Sequence, residues 1–157
     1  MEKEQMTNWE QSVTGVVLKD GKVLLARHTY GAGKGLFIVP GGYVEKGERP
    51  EDAVIREYKE ETGVTVQPHQ ILAIRFNPHD WYIAFSATYI EGTPVSDGDE
   101  NDAVVWMDIE EALAREDVPD LTKKLIECAR QAALDQSGLK PIVYNSRSEQ
   151  PGSLYGI

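Results

Sequence analysis

The chain has 157 residues, of which 41% are hydrophobic and 27% charged, and a formal net charge of −10. That length suits one domain with a core of its own, and the composition excludes a disordered or low-complexity chain. The acidic balance argues against an electrostatic grip on nucleic acid, and the single cysteine, Cys128, excludes an intrachain disulfide or a cysteine-built zinc site.

The polar start, MEKEQMTNWE, is unlike a signal peptide, and no stretch reaches transmembrane length. The expected location is therefore cytoplasmic, with no membrane partner. Residues 12–18 and 23–27 are apolar and partly β-branched, and Asp20-Gly21 between them signals a hairpin. Residues 28–35 are glycine-rich and predict a loop. Residues 36–39 (LFIV) predict a short buried strand that stops at Pro40. Gly41 and Gly42 then predict a backbone turn. A helix is expected from about Pro50, which suits a first turn, to Thr62, with Gly63 as its stop.

Residues 70–76 and 81–90 predict two further strands joined through NPHD, and residues 91–102 an acidic loop. A last strand covers 103–107. Asp108 is placed to cap a short helix, IEEALA, and residues 119–135 form an amphipathic helix. The tail from 137 to 157 is less regular; it either stays loose or docks on the body or a partner subunit. The order β-β-β-α-β-β-β-α-α gives a mixed α/β (α+β) fold with helices packed on a sheet. The expected organisation is one domain over residues 1–136 and a C-terminal extension over 137–157.

The stretch richest in chemistry is 42–64, GYVEKGERPEDAVIREYKEETGV. Glu57, Glu60 and Glu61 fall within about 100° of one helix face, with Val54, Ile55 and Tyr58 on the arc beside it. Like charges at these spacings repel by a few tenths of a kcal/mol per pair, roughly, and a divalent cation would reverse that penalty. Alone, the three glutamates also suit a solvated face. Oxygen donors without His or Cys select hard cations, Mg²⁺ or Mn²⁺. Glu51 and Asp52 suit the positive end of the helix dipole.

Gly42, Glu48, Arg56, Glu57, Glu60, Glu61, Gly63 and Val64 together resemble the Nudix box, G-x5-E-x7-R-E-U-x-E-E-x-G-U, where U is bulky and apolar. Tyr58 stands where an aliphatic residue is usual, a departure that touches packing rather than the metal face. The wider resemblance spans about residues 12–135. It implies a Nudix-like α/β/α sandwich with a mixed sheet and hydrolysis of a diphosphate linkage by metal-activated water. It implies Mg²⁺ (Mn²⁺ as the alternative) held by Glu57 and Glu61, with Glu60, Glu100 and the Gly41 carbonyl as further ligands. Arg56 would orient a glutamate, with Glu60 in reach at i, i+4. Glu57, Glu61 and Glu100 are the candidates for general base, with Asp102 and Asp99 behind Glu100.

The substrate is less legible. Arg27, His28 and Lys34 precede the box and suit either substrate phosphates or plain surface. Trp81, Phe85 and Tyr89 share one strand face, for core or for base stacking, with Tyr82 on the other. Pro78 lies fifteen residues after Gly63, similar to a marker of ADP-ribose hydrolases. Tyr82 lies eighteen after Val64, similar to a marker of dinucleoside polyphosphate hydrolases. The resemblance thus implies a small nucleotide-type substrate: ADP-ribose, an ADP-sugar or a nucleoside triphosphate. It also allows a homodimer to which the tail contributes. Two other readings are a silent nucleotide-binding regulator, which would normally have lost box glutamates, and a cysteine-dependent isomerase. For the latter only Cys128 is available, far from the box in sequence.

Overall fold

A computed structural model describes residues 10–149 and 152–157. Most of the polar N-terminal segment, residues 1–9, lies outside the described residues, as does Pro151 of the tail. Strands β1 (Glu10–Lys19) and β2 (Lys22–His28) form the expected hairpin, and Asp20 and Gly21 both have positive φ, 52° and 74°. Such a pair matches the right-handed strand twist. A short 3-10 turn (Gly31–Gly33) and β3 (Phe37–Ile38) follow, then β4 (Gly41–Tyr43) and helix α1 (Pro50–Thr62). Helix α1 begins with proline in its first turn and stops at Gly63, whose φ of 73° is left-handed. Strands β5 (Thr65–Phe76) and β6 (Asp80–Glu91) form a long hairpin, and β7 (Asn101–Asp108) leads into α2 (Ile109–Ala114). The Asp108 side chain accepts from the backbone N–H of Glu110 and Glu111, the cap read from sequence. Helix α3 (Asp120–Asp135) and a small hairpin, β8 (Lys140–Ile142) with β9 (Leu154–Gly156), complete the order.

The sheet runs β3-β2-β1-β6-β5, with β4 added to β1 and β7 to β2. Among the described residues only β1 and β6 pair in parallel, so the sheet is mixed. Period-two alternation divides the core into two layers. Val13, Val17, Leu24 and Phe85 face α1, where Ala53, Val54 and Tyr58 meet them. Val16, Val23, Leu25 and Ala84 face the other way, against Ile109, Ala112, Leu125, Ile126 and Ala129 of α2 and α3. Each buried Val or Leu contributes about 1.5–3 kcal/mol. This is the expected α/β/α sandwich. No helix among the described residues is long and apolar enough to cross a membrane.

Tyr58 is fully buried, and its hydroxyl donates to the Gly15 carbonyl at 2.5 Å. The strand is bare there, since a Cβ on Gly15 would lie 3.1 Å from the Tyr58 ring. The aromatic departure in the box is thus matched by a glycine on the strand beneath it.

The predicted turn at Gly41 and Gly42 is a strand instead. Both pair with β1, opposite Thr14 and Val13, and neither has positive φ. Close approach is what demands glycine here. A Cβ on Gly41 would lie 2.1 Å from the Val13 carbonyl oxygen and 2.9 Å from Thr14 Cα, backbone atoms that cannot swing aside. Gly41→Ala is expected to cost about 2–4 kcal/mol and lower Tm by roughly 5–15 °C. Thermal unfolding checks this against Gly152→Ala, where an added Cβ meets nothing within 4 Å. Equal Tm values for the two variants would refute the close-packing argument.

Two further differences concern the second half. Strand β5 begins at Thr65, not at 70, because Pro68 is accommodated where the register with β6 shifts. The tail docks on the body. Leu139 bridges to Ile71, Ser153 hydrogen-bonds Glu51 of α1, and the Tyr155 ring packs edge-on against Phe85 at 5.6 Å.

Candidate active site

The C-terminal half of α1 lies across β4, and three contacts fix their relation. Thr14, fully buried on β1, donates from Oγ1 to the Pro40 carbonyl at 2.6 Å. The other end of that peptide, the Gly41 N–H, donates to Glu61 Oε2 at 3.2 Å. On the opposite side Asn101, also buried, donates from Nδ2 to the Glu61 backbone carbonyl at 2.8 Å. Glu61 is thereby held by β4 and β7 at once. Its side chain is buried, and burial together with the charges of Glu57, Glu100 and Asp97 pushes its carboxyl up to about 8 despite the Gly41 bond.

Glu57 lies one turn earlier. Its carboxylate occupies the space a side chain at Gly42 would need, 2.5 Å from the position of that Cβ. Burial raises its pKa, and Arg56 opposes the rise. Arg56 is the hub of this helix face. Its Nε and Nη2 grip both oxygens of Glu48 at 2.9 and 3.0 Å, and Nη1 reaches Glu57 at 2.8 Å and Glu60 at 3.2 Å. Nη2 also donates to the Tyr43 carbonyl at 2.9 Å. The Glu60 contact expected at i, i+4 is present, but the two-pronged partner is Glu48, whose carboxyl Arg56 holds below its ordinary value.

Glu100 is exposed on the loop before β7, and its charge bears on both Glu57 and Glu61. Thr29 clamps that loop, its N–H donating to the Glu100 carbonyl at 3.1 Å and its hydroxyl to the Asp99 carbonyl at 2.5 Å. Asp97 accepts from the N–H groups of Asp99 and Asn101, so it braces the loop. Asp102 is bound to Arg27 at 2.7 Å. Arg27 also lies over the Phe37 ring, on the α2/α3 face, while Lys34 is exposed on the loop after the 3-10 turn. His28 is nearer the acids: Glu100 and Asp97 act on it, yet burial still lowers its pKa. Tyr82 is largely buried, bonded to Thr14, with the Arg75 guanidinium 4.9 Å over its ring, and burial pushes its hydroxyl up to about 12. Phe85 is core, Tyr89 packs against Trp106, and Trp81 meets Phe76 at an exposed hairpin tip.

Sequence reasoning passed over Tyr30, Asn101, Thr14 and Arg75. Asn101 and Thr14 act through backbone contacts made across strands, which no spacing announces.

Among the described residues, no three His, Cys, Asp or Glu side chains stand close enough to hold an ion as placed. The donor chemistry nonetheless fits a hard divalent cation. The acids are all oxygen donors, Glu61 is buried with no Lys or Arg paired to it among the described residues, and Gly42 leaves a cradle filled by Glu57.

Fold and acids together define a three-layer α/β/α protein whose one-sided helix turns a carboxylate face to the edge of β4. The chain belongs to the NUDIX domain family, which matches residues 9–127. It is 43% identical over 67 residues to a protein of Methanocaldococcus jannaschii named ADP-ribose pyrophosphatase, a match covering 43% of this chain and 40% of that one. It is 33% identical over 118 residues to the NAD-capped RNA hydrolase NudC of Stutzerimonas stutzeri, covering 74% of this chain and 42% of that protein. The chain thus spans about two-fifths of the length of these curated relatives. A NUDIX hydrolase from Nitrosomonas europaea superposes with a TM-score of 0.70 at 23% identity, over 88% of this chain and 99% of that one, a likeness of fold.

Proposed function

We propose that this chain is a Mg²⁺-dependent pyrophosphohydrolase that cleaves the diphosphate linkage of a nucleoside diphosphate derivative. ADP-ribose or an ADP-sugar is favoured over a nucleoside triphosphate. The observation that carries the reading is Glu61, a buried carboxyl group under the charges of Glu57 and Glu100, oriented by β4 and β7 but with no side-chain cation of its own among the described residues. Glu57 and Glu61 would hold the ion, with Glu60, Glu100 and the Gly41 carbonyl completing the set. Bound there, Mg²⁺ supplies charge neutralisation for the diphosphate and activation of water. Arg56 is a positioning residue, fixing Glu57 and Glu48 from one guanidinium. The proton of the attacking water would pass to one of the same acids, Glu57, Glu61 or Glu100, whichever is not given over to the ion.

The substrate assignment draws on the two relatives. ADP-ribose and an NAD cap share an adenosine diphosphate-ribose skeleton, and Pro78 is in the position similar to the ADP-ribose marker. Tyr82, the competing marker, is engaged with Thr14 and Arg75.

The test is turnover of ADP-ribose, ADP-glucose, ATP and diadenosine polyphosphates with Mg²⁺, with and without chelator, in ¹⁸O water. AMP and ribose 5-phosphate are expected from ADP-ribose, with the label on one product and no turnover once Mg²⁺ is removed. Chelator-resistant turnover would sink the metal mechanism. Binding without turnover across the whole panel would favour the silent regulator.

A further inference from the structure

We propose that Tyr30, backed by His28, is a stacking platform for the base of a nucleotide bound at the carboxylate face. The inference rests on the diphosphate reading above and adds where the rest of the substrate goes. Tyr30 is 56% exposed, so its ring is open to a ligand. Its ring lies nearly parallel to the His28 imidazole, with centroids 6.0 Å apart and planes inclined by 11°. His28 is half-buried at the end of β2, where the ladder to β7 is bulged against Asn101. One ring is anchored in the body and the other is presented outward.

The platform is tied to the acids by backbone contacts. Thr29, between the two rings in sequence, donates its N–H to the Glu100 carbonyl at 3.1 Å. Asn101, next to Glu100, holds the Glu61 carbonyl at 2.8 Å. Two hydrogen bonds therefore connect Tyr30 to the helix that carries Glu57 and Glu61. Burial raises the pKa of the Tyr30 hydroxyl, and the charges of Glu100, Glu61 and Glu57 raise it further. Phosphates drawn to that face with a cation leave the planar base to find an apolar, polarisable surface, and an aromatic ring offers one to any base. Among the described residues the ring that Tyr30 stacks on is His28.

The experiment measures equilibrium binding by calorimetry, with Mg²⁺, of α,β-methylene-ADP and α,β-methylene-UDP against methylenediphosphonate, which carries the same P–C–P unit without a nucleoside. Wild type, Tyr30→Ala and Tyr30→Phe are compared. Tyr30→Ala is expected to weaken both nucleotides roughly 5- to 100-fold and to leave methylenediphosphonate unchanged. Tyr30→Phe, which keeps the ring, should stay within about twofold of wild type. Unchanged nucleotide binding in Tyr30→Ala, or equal weakening of all ligands, overturns the platform while leaving the diphosphate reading intact. Failure of wild type to bind any of the three with Mg²⁺ overturns the diphosphate reading itself, and the platform with it. Because Tyr30 is exposed on a loop, the alanine variant removes little packing, and its Tm checks that the fold is retained.

Discussion

Glu61→Gln is expected to abolish hydrolysis and, in the metal-free protein, to raise stability. The rate should fall on the order of a hundredfold or more, because a neutral amide is a poor ligand for a hard cation. The gain in stability follows from the same burial. The Glu61 carboxyl is raised from an ordinary 4.5 to about 8, so the folded state prefers it protonated. Its stabilising contribution is complete below the unfolded value of about 4.5 and is lost as pH rises through about 8. Metal-free wild type should therefore weaken steadily over that window, and the glutamine variant should not. Gln retains an oxygen for the Gly41 N–H, so that bond is kept. At pH 8 without metal the variant is expected to melt higher by roughly 3–10 °C, a gain of about 1–3 kcal/mol. Added Mg²⁺ should then raise the Tm of wild type by mass action and leave the variant unmoved. Melting curves at pH 5 and pH 8, with and without Mg²⁺, settle it. A variant less stable than wild type at pH 8 without metal would show that Glu61 is held by favourable contacts rather than awaiting an ion.

How much of this was readable in advance differs by element. Helix α1 was legible because proline, glycine and a 3.6-residue pattern all agree on its limits. The β1–β2 hairpin was legible because Asp20-Gly21 suits one tight turn. The Gly41-Gly42 strand was not, since glycine for close approach and glycine for a turn look alike until the neighbours are known, and Val13 and Glu57 are distant in sequence. The acids of α1 fall on one face by periodicity alone. The hold of Asn101 on Glu61, forty residues away, depends on how β7 meets the end of α1. Tyr30 was hidden for a similar reason: its loop approaches Glu100 only because β2 pairs with β7.

Arg56→Ala is expected to lose both stability and activity, and the two losses should trace to different partners. The Arg56 side chain as a whole is about four-fifths covered, and so are those of its partners Glu48 and Glu57, with side-chain exposures of 22%, 16% and 12%. Truncation leaves two partly desolvated carboxylates without their cation, which costs about 2–4 kcal/mol and lowers Tm by roughly 5–15 °C. Activity falls because Glu57 loses the bond that directs its carboxylate. Arg56→Lys keeps the charge but not the planar fork, so it should recover less than half of the lost stability. The Glu48 bond carries the acid dependence. Its carboxyl is depressed by Arg56, so its contribution is present above the ordinary 4.5 and is lost as pH falls through the lower folded value. Wild type should thus lose this increment in acid, and Arg56→Ala should have none to lose. A cycle of Arg56→Ala and Glu48→Gln separates the roles. Strong coupling in Tm, about 1 kcal/mol or more, assigns the stability to the Glu48 fork. If Glu48→Gln keeps most of the activity while Arg56→Ala does not, the catalytic share belongs to the hold on Glu57. Additive Tm losses would instead mean that Arg56 and Glu48 stabilise the loop before α1 independently, and that the fork is only a contact.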